Sequence, residues 1–446
     1  MKKKVIIRRS ILAIIGIILL AAIIIGIRYL LAYNGFLDKI TKREPELKQY
    51  SVIVLNESNI QDVNNLTEKN VGFLKTDPKA ANAAQKLNES VETIVDYYDD
   101  IDILIGALEN SITDAITLES DRLEMLKEDD SSDFSNNTRA IHSFSIELEG
   151  DDMEISDKQI TTEPFILYIS GSDSRTGIKT TARSDVNILA VVNPKQSKIL
   201  LASIPRDTYV QLHNTYGLKD KLTHAGVYGI NMSKTTIEDF LDIDIDYTLK
   251  VSFETVIDVV DQLDGIDIES DKAMTLKLGG GKVCEYVEGK QHVDGICALR
   301  FARERKSYET GDRHRGENQQ QVIISIIGRL SSSKDYLFKI PTILDIAADS
   351  FETTISRDNI SDFIRMQLLG GIKWKVESIS IDGTGTYEPT YSMGANRPLY
   401  VMIPSEGSIT KVKNKIDEYL EKSSPTVDQK DEKNTDEDIV DDTENQ

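Results

Sequence analysis

A chain of 446 residues with 74 acidic and 52 basic side chains carries a formal charge of −22, which excludes a general nucleic-acid binder. The length leaves room for two or three domains and a sizeable core. The two cysteines, Cys284 and Cys297, lack the spacing of a zinc knuckle, and no second pair exists.

Residues 1–9 hold Lys2, Lys3, Lys4, Arg8 and Arg9, and no charge interrupts the chain from Ile11 to Ile27. A helix over 10–33 is long enough to cross a bilayer, since about 20 residues span roughly 30 Å. The positive charge on its N-terminal side predicts a cytoplasmic N-terminus, a single-pass cell-membrane protein and an extracellular remainder. A cleaved signal peptide is the alternative, but no small-x-small site follows and the run is long for one. An outside location allows a disulfide between Cys284 and Cys297; two separate buried thiols fit the sequence as well.

Residues 34–45 read as a linker ending at Pro45. From 46 to 150 the pattern predicts a small accessory α/β domain, with strands at SVIVL (51–55) and VGFL (71–74) and helical spacing over 79–98 and 120–128. No catalytic constellation stands out there. EDDSSDFSNNT (128–138) has the composition of a solvated loop. The polar segment 150–164 separates this domain from a second, 160–420. Apolar runs at 165–170, 186–192, 198–204 and 247–253 read as strands, and 256–263 and 319–330 as helices. Buried strands alternating with helices predict a three-layer α/β/α sandwich. Further helices are expected over 337–351 and 359–369, and strands over 376–382 and 399–403. The acidic tail 421–446 has little to bury and is expected to be disordered.

Four pieces fall at ends of expected strands, where α/β folds place ligands. GSDSR supplies Asp173 and Arg175, RSD supplies Arg183 and Asp185, and SIPRD supplies Arg206 and Asp207. The stretch ALRFARERKSYETGDRHRGENQQQ supplies Arg300, Arg303, Arg305, Asp312, Arg313, Arg315 and Gln319. Singly, each is ordinary turn or surface chemistry. Together they suit phosphate. Guanidinium forks grip phosphate oxygens, and Mg2+ takes one or two carboxylates beside phosphate and water, a role Asp173 and Asp185 fit. Ser172 and Ser203 lack a base arrangement for nucleophilic catalysis. GGG (279–281) lacks the lysine–serine pair of a P-loop and reads as a hairpin turn. His224, without a histidine partner nearby, reads as a structural hydrogen bonder.

The ordered set SGSDSR, RSDVNILAVVNP, LLASIPRDTYV, KLTHAGVYG, IDYTLKVSF, LDGIDI, EGKQHVDGICALRFARER and GDRHRGENQQQ resembles the LytR–CpsA–Psr family of cell-envelope proteins over about 165–330. The resemblance implies a phosphotransferase that moves an anionic glycopolymer (teichoic acid, capsule or similar) from a polyprenyl diphosphate carrier to peptidoglycan. It implies Asp173 and Asp185 as magnesium ligands and Arg206 as the arginine assisting transfer. Arg183, Arg303, Arg305, Arg315 and Gln319 match the pyrophosphate-binding set, with Asp312 supporting it. Asp173 is the candidate for taking the acceptor proton, although a coordinated carboxylate is a poor base. Many relatives carry a further arginine where this chain has Asn318. The rival reading is a non-enzymatic, membrane-anchored receptor or scaffold for lipid-linked anionic polymers.

Overall fold

The computed structural model describes residues 34–35, 37–41, 45–127, 134–148, 156–172, 177–279, 281–308, 311–333, 336 and 350–421, the side chains of 254, 279 and 312 excepted. The expected anchor, the tail beyond 421 and nearly all of the expected helix 337–351 lie outside these residues. Among the described residues no helix is long and apolar enough to cross a membrane.

The N-terminal unit is built on β1 (Leu47–Leu55), β2 (Asn70–Leu74), β3 (Ile94–Tyr98), β4 (Ala115–Glu119) and β5 (Thr138–Glu147). Their order is β3-β2-β4-β1-β5, with β2 parallel to β3 and β4, and β1 antiparallel to β4 and β5. Helices α1 (Ala80–Asn88), α2 (Ile101–Glu109) and α3 (Ser120–Lys127) accompany them. The helical spacing over 79–98 conceals a helix and a strand. After α1 the Asn88 Oδ1 accepts hydrogen bonds from the Thr93 backbone N–H at 3.1 Å and its hydroxyl at 2.7 Å, turning the chain into β3. The expected loop 128–138 contains a helical turn, Phe134–Asn137, because Phe134 is a core residue.

The second unit contains β6 (Phe165–Ser172), β7 (Val186–Asn193), β8 (Lys198–Ser203), the two-residue strands β9 (Tyr209–Val210) and β10 (Asp220–Lys221), α4 (Ile230–Leu241), β11 (Tyr247–Ser252) and α5 (Phe253–Gln262). Then come β12 (Ile266–Ser270), β13 (Met274–Gly279), β14 (Lys282–Tyr286), β15 (Gly289–Val293), α6 (Gly295–Ala302) and α7 (Asp312–Ser332). Last are β16 (Phe351–Thr353), α8 (Arg357–Gly370), β17 (Lys375–Ser380), β18 (Gly383–Thr390), β19 (Gly394–Pro404) and α9 (Glu406–Leu420). Six strands form one mixed sheet, β16-β11-β6-β7-β8-β17. Alternate residues of β6, β7 and β8 serve opposite faces. Ile166, Leu189 and Leu200 pack with α4 and α9, whereas Phe165, Ile188 and Leu201 pack with α7 and α8. Helices thus cover both faces, as burial of both sides of the central strands requires.

The two units share a core. Leu123 and Met125 of α3 pack with Val227 and Met393 of the second unit. Leu47 donates to the Lys179 carbonyl at 2.9 Å and accepts from Thr181 N–H at 2.8 Å, which ties β1 to the loop approaching β7. Glu46 pairs with Lys250 at 2.6 Å and accepts from Ile230 N–H at 3.0 Å. That approach needs Gly229, whose φ of +104° and missing Cβ leave room for the Glu46 carboxylate.

Candidate active site

The ends of β6, β7 and β8 meet the arginine-rich segment between α6 and α7 around one open cleft of about 1110 Å³. Arg183 and Asp185 precede β7, Arg206 follows β8, Arg303 and Arg305 follow α6, and Arg315 and Gln319 sit on α7; all seven line this cleft. Residues separated by more than a hundred positions therefore line one cleft. Asp173 lies outside the described residues, and so does the Asp312 side chain, although its backbone opens α7.

Arg206 is fixed first. Its Nη1 meets Asp185 Oδ1 at 2.6 Å, and its Nε lies 3.6 Å from Asp207 Oδ1. Lys221 meets the same Asp207 oxygen at 3.0 Å, and the Thr223 hydroxyl donates to Asp185 at 3.5 Å. Burial opposes the charge on Asp207, but Lys221 and Arg206 override it and hold the carboxyl below its usual range. The backbone supports this corner, because Thr223 N–H donates to the Arg206 carbonyl at 2.9 Å and Ser184 N–H to the Thr223 carbonyl at 3.0 Å. Gly226 packs on the same loop: a Cβ there would strike the Ala182 carbonyl and the Ser184 nitrogen.

On the opposite flank Arg303 lies over the Phe253 ring with 5.0 Å between guanidinium carbon and centroid. Arg315 is buried, with only 7% of its surface exposed, while Arg305 is exposed. Asn318 is turned inward, donating to the Phe301 carbonyl at 3.1 Å at the end of α6. Arg313 points elsewhere, to Asp382 at 2.8 Å. Phe253, Leu278, Ile296 and Leu299 add apolar surface to the cleft.

Oxygen donors for a cation are sparse. Among the described residues no group of three or more His, Cys, Asp or Glu could hold a metal ion. Asp185 remains, with the Ser172 hydroxyl, which is buried and has no hydrogen-bond partner among the described residues. Asp185 N–H donates to the Gly171 carbonyl at 2.8 Å, next to Ser172 in the chain. Hard oxygens of this kind, few in number, fit Mg2+ that is also held by phosphate and water.

The other candidates are structural. His224 is buried, with Nδ1 2.6 Å from Asp220 and 2.9 Å from the Ser392 hydroxyl. Cys284 and Cys297 are joined in a disulfide, with Cα atoms 5.6 Å apart, beneath the hairpin β13–β14 that carries Leu278. Sequence reasoning missed one wall altogether. Gln49, Ser120, Asp121 and Glu124 of the N-terminal unit line the same cleft. An Asp in the first turn of a helix ordinarily reads as a partner of the helix dipole, so nothing in the residue pattern marked it.

The LytR_cpsA_psr family model matches residues 121–417. Polyisoprenyl-teichoic acid–peptidoglycan teichoic acid transferase TagU of Halalkalibacterium halodurans is 32% identical over 263 residues, covering 58% of this chain and 81% of that protein. TagU of Bacillus subtilis is 31% identical over 270 residues, covering 60% and 82%. The crystal structure of Bacillus subtilis TagV is similar with a TM-score of 0.50 and 30% identity, covering 59% of this chain and 99% of that one. The family match takes in more than half of the sequence and every described arginine of the cleft. The chain belongs to the LytR_cpsA_psr family.

Proposed function

We propose that this protein is a magnesium-dependent phosphotransferase that moves an anionic glycopolymer from a polyprenyl diphosphate carrier onto peptidoglycan. Teichoic acid, capsule or a similar polymer fits the donor chemistry. The observation that carries this reading is the excess of guanidinium in one cleft of a chain whose net charge is −22. A site of that sign takes an anion far more compact than the protein around it. The names of the relatives, teichoic acid transferases acting from a polyisoprenyl carrier to peptidoglycan, support the same class.

Arg183, Arg303, Arg305 and Arg315 would bind the diphosphate oxygens, with the Gln319 amide beside them and Asp312 supporting α7. The apolar residues of the cleft would take the first isoprene units. Arg206 is held by Asp185 and would face the charge that builds on the transferring phosphoryl group. The acceptor hydroxyl oxygen forms a bond to the phosphorus nearest the polymer. The bond from that phosphorus to the bridging oxygen breaks, and polyprenyl phosphate leaves with the electron pair. The product is a phosphodiester between polymer and peptidoglycan. Asp185 and Asp173 would hold magnesium, which supplies charge neutralisation to the phosphate oxygens. The anchor at 10–33 would keep the cleft near the membrane that carries the donor, outside the cell, where the disulfide is stable.

The test uses the full chain in lipid vesicles with a polyprenyl-diphosphate-linked polymer and peptidoglycan strands. Released polyprenyl phosphate and polymer bound to peptidoglycan are measured with and without magnesium. Arg206→Ala and Asp185→Ala should each lower turnover at least about 100-fold, the scale of losing one transition-state charge donor. Undiminished turnover in both variants would remove the proposed site. Polymer binding without turnover in the wild type would favour the receptor reading.

A further inference from the structure

The cleft has two unlike walls. One is guanidinium. The other, from the N-terminal unit, presents the Gln49 amide, the Ser120 hydroxyl and the carboxyls of Asp121 and Glu124. Carboxylates repel a diphosphate but accept hydrogen bonds from sugar hydroxyls. We propose that this wall receives the acceptor sugar and that Asp121 takes the proton from its attacking hydroxyl, an inference that rests on the transfer reading above.

Position supports it first. Asp121 lies between Glu119 and Arg122, which pair with each other at 2.6 Å and are each about 95% buried at the seam of the two units. Arg122 also donates to the Ser392 carbonyl of the second unit at 2.7 Å. The start of α3 is thus clamped on both sides of Asp121, whose half-buried carboxyl lines the cleft. Among the described residues the other carboxylates at the cleft are engaged: Asp185 by Arg206 and Thr223, Glu124 by Lys127, and Glu304 by Arg300 and the Ser307 N–H.

Protonation supports it second. Burial raises the Asp121 carboxyl to about 7; Glu119 and Glu124 push the same way, while Arg183 and Lys48 oppose them. A base with that value is half ionised at neutral pH and strong enough to accept a proton in the transition state. In the step, the hydroxyl O–H bond breaks toward Asp121 as the O–P bond forms. The P–O bond to the lipid phosphate breaks, and Asp121 returns its proton to water or to the departing phosphate. No other reactant is needed.

The experiment compares wild type, Asp121→Asn and Asp121→Glu as full chains in the same vesicle assay, across pH 5 to 9. Transfer rate, donor binding and melting temperature are read in parallel. In the wild type the rate should fall below pH about 7. Asp121→Asn should lose that limb and at least about 100-fold in kcat, the lower bound for a general base, while binding the lipid diphosphate within about threefold of wild type. Asp121→Glu should recover part of the rate. Asp121→Asn at full rate with the limb intact overturns the proposal. So does a loss accompanied by weakened donor binding or a lowered melting temperature, which marks a structural role. A wild type that transfers nothing overturns the parent reading instead.

Discussion

At the seam between the two units Lys48 and Arg122 meet Asp77 and Glu119 as a balanced set of charges. Lys48 contacts both Asp77 and Glu119, Arg122 pairs with Glu119 at 2.6 Å, and the Tyr50 hydroxyl donates to Asp77 at 2.7 Å. None of the four charged side chains is more than 6% exposed. In the adjoining cleft, among the described residues, eight lysines and arginines face four carboxylates around open space. The residue types are the same, and the stoichiometry differs. A balanced, closed cluster has no charge left for a ligand and acts through desolvated attraction. An unbalanced, open one carries a net charge that an anionic ligand can offset. The difference shows why a count of arginines along a sequence is a weak sign of a phosphate site. The sum over a folded neighbourhood is the informative quantity.

The sharpest way to break this comparison is to unbalance the seam. Arg122→Met should leave Glu119 buried with Lys48 alone and strip the Ser392 carbonyl of a donor. Loss of one partner of a buried pair costs about 3–5 kcal/mol, to be read from urea unfolding of the full chain. A loss below about 1 kcal/mol would mean that the seam is no more than a surface ion pair.

Next comes pH, to which the two clusters should respond in opposite directions. Burial disfavours the Glu119 charge, yet Arg122 and Lys48 prevail and hold it at about 2, below the unfolded value of about 4.3. Its contribution is complete above pH about 4.3 and is lost as pH falls through 2, up to about 3 kcal/mol. Asp121 is raised to about 7, above its unfolded value of about 3.9. Its protonated form favours the fold, and that advantage disappears as pH rises through 7. Glu119→Gln should therefore abolish part of the acid lability between pH 4 and 2. Asp121→Asn should raise stability at pH 8 and leave it unchanged at pH 3. Identical pH profiles for wild type and both variants would contradict the charge accounting in either cluster.

Much of the second unit is legible in the sequence, for a physical reason. Strands β6, β7 and β8 are buried on both faces and so read as unbroken apolar runs, and α7 shows its period through Val322, Ile323 and Ile326. The split of 79–98 is not legible. Leu87, Val91, Ile94 and Tyr98 keep helical spacing straight through the turn that Asn88 imposes. The ribbon β18–β19 shows only its apolar end, 399–403, because β18 has no aliphatic residue, only threonine, glycine, Glu388, Pro389 and an exposed tyrosine. Among site residues, those after strand ends announce themselves through arginine in an acidic chain. Asp121 does not, since its place in the cleft depends on how two units dock, which no local pattern encodes.

The smallest effect separates two arginines two positions apart. A separation of two positions on an α-helix rotates a side chain by about 200°, and α7 uses that rotation. Arg315 turns into the cleft and is buried, whereas Arg313 turns to the surface, 39% exposed, and pairs with Asp382. Both belong to the same basic stretch of sequence. Arg315→Ala should weaken donor binding about tenfold to a hundredfold, the value of a charge-assisted hydrogen bond, and increase the donor Kd measured by calorimetry. Arg313→Ala should leave Kd and turnover within about twofold and cost less than about 1 kcal/mol of stability, as an exposed pair does. Equal losses in the two variants would mean that the whole basic stretch acts as a diffuse field, and that the enclosed surplus of the cleft has no special role.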